Sequence, residues 1–90
     1  MGFVTRQDEY FAGWVREPGG DKEVVVVERG TRAAAINLTV AEANKRNWDW
    51  FIDLRQDLKD EDNSVATLAH WSSVAGELPP ASRSQVPGLP

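Results

Sequence analysis

Ninety residues allow one domain at most, and a chain of this length buries only about 60–65% of its unfolded surface, so its stability is marginal and function through a partner is the natural expectation. With no cysteine and a single histidine, His70, the chain can build neither a disulfide framework nor a thiolate or histidine-rich metal site. The net charge of −4 is confined to residues 49–62, where Asp49, Asp53, Asp57, Asp60, Glu61 and Asp62 meet only Arg55 and Lys59; elsewhere eight acids balance eight bases, which leaves no basic excess for nucleic acid or a membrane surface.

The N-terminal stretch Met1-Gly2-Phe3-Val4-Thr5-Arg6 lacks the apolar core of a secretory signal, and no apolar run approaches the ~20 residues that span a bilayer. A cytoplasmic location is expected. Thr5 with Asp8 could cap a helix carrying Tyr10, Phe11, Trp14 and Val15, but Gly13 in its middle costs ~1 kcal/mol against alanine. A strand over about 10–16, turning at Pro18-Gly19-Gly20-Asp21, is the preferred reading.

Four consecutive valines, Val24 to Val27, predict a second strand over 23–28. Arg29-Gly30-Thr31 then reads as a tight connection to a third strand over 32–38, making a small antiparallel meander or hairpin. Thr39 with Glu42 matches a capping box, and an apolar arc of Val40, Ala41, Ala43, Trp48, Trp50, Phe51, Ile52, Leu54 and Leu58 predicts an amphipathic helix over 40–59. Ser64 caps a shorter C-terminal helix over 64–75, with Gly76 in a left-handed cap and Pro79-Pro80 preventing continuation. The expected fold is therefore α+β, one domain over 1–78, followed by a flexible Pro/Ser-containing tail over 79–90.

On the predicted helix Asp49, Asp53 and Asp57 recur every fourth residue, which sets their carboxylates ~6 Å apart in a row. With Asp60, Glu61 and Asp62 they form an acidic face whose spacing approaches that of phosphates along a nucleic-acid strand. Trp50 lies at the rim of the apolar arc, as an interface anchor would, and Trp48 lies nearer the core. Trp50→Ala is accordingly expected to weaken partner binding and Trp48→Ala to weaken folding.

A calcium loop starting at Asp60 fails, because Val65 and Trp71 occupy the positions that need glycine and glutamate. His70 is expected on the solvent side of the last helix, with no nucleophile or patterned acid beside it. Gly19-Gly20 is a turn rather than a phosphate loop. No catalytic, cofactor or metal residues are assigned, and neither a small-molecule substrate, direct nucleic-acid binding nor a membrane is expected.

The remaining feature is the valine run, apolar on both faces, whose open edge would be an aggregation hazard unless another chain covers it. Val24, Val25, Val26 and Val27 are the expected oligomer interface, and Trp50 with the six acids the expected partner-binding set. The sequence thus reads as a non-enzymatic protein-binding or self-assembling module. Arginine outnumbers lysine seven to three, which suits a bacterial or phage accessory or assembly component. The alternative is an inhibitor whose acidic helix imitates nucleic acid toward a nucleic-acid-binding enzyme.

Overall fold

The computed structural model describes residues 8–58 and 64–79. Strands β1 (Glu9–Arg16) and β2 (Glu23–Gly30) are followed by helix α1 (Arg32–Arg46) and strands β3 (Asp49–Leu58) and β4 (Ser64–Ser72). All strand pairings are antiparallel, in the order β2-β1-β3-β4. The chain is α+β, with one helix on a four-stranded sheet. Among the described residues no helix is long and apolar enough to cross a membrane.

The first hairpin follows the expected pattern: Gly19 takes a φ of +73°, and Glu17 accepts from Gly20 N while donating to the Lys22 carbonyl. The connection after β2 does not. Arg29-Gly30-Thr31 leads into a helix, not a third strand, because Thr31 Oγ1 accepts from Ala34 N at 3.1 Å and three alanines, the best helix formers, follow. The expected strand over 32–38 is thus the first half of α1. Thr39, read as the cap, is fully buried in mid-helix. At the other end Lys45 and Arg46 occupy the last turn and Asn47 closes it in the left-handed region, φ 59°, so the helix stops there.

The expected helix over 40–59 is therefore helical only to Arg46, and residues 49–58 form a central strand. Trp50, Ile52 and Leu54 alternate toward α1, where Trp50 and Ile52 join Phe11, Val15, Val27, Ala35 and Ala43 in the core. The C-terminal helix over 64–75 is a strand, β4, followed by a turn that Gly76 closes with φ +78°. Pro79, read as the start of the tail, is buried, and its carbonyl accepts from Arg32 Nη2 at 3.4 Å. The rest of that segment, and Asp60, Glu61 and Asp62, lie outside the described residues.

Because β2 and β3 both run antiparallel to β1, they are parallel to each other and α1 crosses over β1 between them. The helix approaches β1 very closely: Ala35, Thr39 and Ala43 form its buried stripe, and a Cβ added at Gly13 would stand 2.0 Å from Thr39 Oγ1. Gly13 is needed for this contact. Thr39 Oγ1 itself is buried with no hydrogen-bond partner among the described residues, a cost the close packing must offset.

Candidate interaction surface

The helix lies against β1, β2 and β3 and does not reach β4, and nothing described covers the opposite face of the sheet. On that bare face strand alternation collects Tyr10, Trp14 and Arg16 from β1, Phe51, Asp53, Arg55 and Asp57 from β3, and His70 from β4. Trp14 and Phe51 are directly paired across the strands and stack with ring centroids 5.6 Å apart and planes 12° from parallel. His70 adjoins both rings, at 6.2 and 6.1 Å.

Arginines stand over these rings in place of a second layer of chain, and beneath them Tyr10 and Phe51 are buried, each 9% exposed, while Val25 at the edge stays open. Arg29 lies 3.8 Å from the Tyr10 centroid, Arg16 4.8 Å from Phe51 and Arg55 5.4 Å from Trp14. Each is held by an acid: Arg16 Nε donates to Glu23 at 2.7 Å, Arg29 Nη2 to Asp57 at 2.7 Å, and Arg55 Nη2 to Asp53 at 2.9 Å. The Asp57 carboxylate holds the Arg29 guanidinium above its ordinary pKa. The pairs at Arg16 and Arg29 are exposed and contribute little stability; their effect is to fix the guanidiniums over the rings.

Asp53 differs, being only 5% exposed at the centre of the face. A buried carboxylate requires partners, and it accepts from Arg55 Nε at 3.1 Å and contacts His70 Nδ1 at 2.5 Å. His70 is thus not the solitary side chain of a polar helix face; it is oriented by an acid in the neighbouring strand. Among the described residues it bonds to no hydroxyl, and none holds three or more metal-ligating side chains together.

The acids expected in one helical row are differently placed. In a strand, Asp49, Asp53 and Asp57 still share a face but stand ~13 Å apart. Asp53 and Asp57 are neutralised as above, and Asp49 accepts from Ser73 Oγ at 3.3 Å. Imitation of a phosphate row loses its geometry. Trp50 is also relocated: it is 9% exposed, faces α1, and its backbone N–H bonds Ser73 Oγ at 3.0 Å. It is a core residue, while Trp48 is only partly buried, with Arg46 4.9 Å from its ring.

The valine strand is placed where an interface could use it. β2 is an edge of the sheet, paired only with β1. Val27 is buried, Val24 and Val26 pack on the core, and Val25 is 62% exposed on the bare face opposite Trp14. A groove of about 620 Å³ runs between them, floored by Ala12 and bounded by Trp14, Arg55, Val25 and Arg29. The period-2 pairs Trp14-x-Arg16 and Phe51-x-Asp53-x-Arg55 are the signal by which the bare face could have been found from sequence. No family model, curated protein or solved structure matches the chain.

Proposed function

We propose that this chain is a non-enzymatic protein-binding module whose contact surface is the β2 edge and the bare sheet face next to it. The observation that carries this reading is Val25, 62% exposed on an edge strand beside Trp14 and a rim of arginines. Tryptophan and arginine are the residues most enriched among interface hot spots, and an apolar edge strand offers unpaired backbone donors and acceptors to an incoming strand. The surface is rimmed by ion pairs, so its charge can set orientation without dominating affinity.

The test is Val25→Lys, which places a charge on the exposed edge without touching the core. Because Val25 is exposed, the denaturation midpoint should move by no more than ~0.5 kcal/mol equivalent. The variant used as bait should lose whichever protein, its own chain or another, the parent retains, with affinity falling about tenfold or more, since that is ~1.4 kcal/mol. Equal retention by parent and variant would remove this reading.

A further inference from the structure

We infer that the partner of β2 is a second copy of this chain, joined edge to edge so that two four-stranded sheets become one of eight strands; this rests on the binding reading above. Three observations favour a copy of the chain. First, β2 carries neither lysine nor proline, the residues that commonly blunt an edge; its protection is confined to Glu23, Glu28 and Arg29 near its ends and to two register irregularities against β1. Second, its charges are self-complementary. In an antiparallel pair with the dyad at Val26, Glu23 of one copy comes opposite Arg29 of the other, at both ends of the pair. Moving the dyad midway between Val25 and Val26 would instead oppose Glu23 and Glu28. Both side chains are exposed, Glu23 at 43% and Arg29 at 55%, so each is accessible for this contact.

Third, the helix supplies a shelf above the same edge. A parallel crossover takes the right hand, and with α1 over β1 the helical period then turns Leu38 toward the β2 side. Ala34, on the same flank, lies 3.8 Å from where a Gly30 Cβ would stand, which agrees. Leu38 is 55% exposed. In the paired sheet the two helices run antiparallel on one side, three strand spacings or about 14 Å apart. That is wider than the 8–10 Å of packed helices. The space between them is where Leu38 and its copy project, close to the dyad because both α1 and β2 are bisected there.

β4 is the other edge and has exposed Val65 and Leu68, but no helix overlies it and it has no charged pair at its ends to set a register.

The chain has no cysteine, so one can be placed on the dyad. Directly paired residues in antiparallel strands have Cα atoms about 4.5–5.5 Å apart, within disulfide reach. Under mild oxidation Val26→Cys should yield a covalent dimer of twice the 10.0 kDa chain, while Val65→Cys on β4 should form no covalent dimer. The parent protein should sediment as a dimer at high micromolar concentration and dissociate on dilution. Cross-linking at β4 and not at β2 would overturn the inference. So would a parent that sediments at 10.0 kDa at every concentration up to millimolar, which also decides the matter if Val26→Cys does not fold. A monomeric parent that still binds a different protein in a Val25-dependent way would leave the binding reading standing and this inference overturned.

Discussion

Gly13→Ala is expected to cost about 3 kcal/mol, the upper part of the range for overpacking a closed interior. Its new methyl would stand 2.0 Å from Thr39 Oγ1 and 3.0 Å from Thr39 Cβ, in the centre of a central strand under the buried stripe of α1. Neither partner can yield cheaply, since Thr39 is held by the helix and Gly13 is paired on both sides, with Val27 and Ile52. A domain of this size has roughly 5–13 kcal/mol in all, so the variant keeps a reduced but measurable transition. Urea unfolding, with a slope near ~1 kcal/mol/M, should show the midpoint fall by about 2–3 M. Thr39→Ala in the same chain should recover part of the loss, because it removes the nearest contact and leaves the one at Cβ; the two changes should be strongly non-additive. A midpoint within ~0.5 M of the parent would mean that α1 does not approach β1 as described.

Trp50→Ala should cost about 3–5 kcal/mol, as large-to-small changes at buried aromatics do. Trp48→Ala should cost less, about 1–2 kcal/mol, because that ring is partly buried and Arg46 covers it from the solvent side. This order reverses the one the sequence suggests, and the physical reason is the strand. Trp50 is paired with Val15 in the sheet centre and points at the helix. Chemical denaturation of both variants measures the difference directly; a larger loss at Trp48 would restore the helical setting of residues 49–58 and remove the bare face as described.

Residues 49–58 carry a pattern that fits a helix as well as a strand. Asp49, Asp53 and Asp57 share a face at either period, because every fourth residue is on the same side in a strand and in a helix. The deciding pattern was Trp50, Ile52 and Leu54 alternating with charged or aromatic neighbours, which a broad helical arc absorbs too easily. The stop signal was also present, as Lys45 and Arg46 followed by an asparagine able to take positive φ. In β4 an extra residue, Leu68, opposite the Leu54–Arg55 step of β3 puts Ala66, Ala69 and Trp71 on one side at mixed spacing, which imitates a helical interval.

Other parts were legible. β1 and β2, the turn between them and the positive φ of Gly76 follow from local residue chemistry. The valine strand is readable too, because its composition is local; its place at the edge is not, since it depends on residues 32–46 forming a helix where a third strand was expected. The Asp53, Arg55 and His70 cluster was not, since it depends on which strand of the sheet lies beside β3.

Amide hydrogen exchange of the parent protein, followed residue by residue from dilute to concentrated solution, tests the joining of two copies through β2 most directly, because strand pairing directly shields the outward-facing amides of a joined edge, which otherwise exchange without global unfolding. Exchange within Val24 to Arg29 should slow as concentration rises, while Val65 to His70 of β4 exchange at a constant rate. Exchange in β2 that is the same at every concentration, or protection that grows in β4 instead, would contradict it.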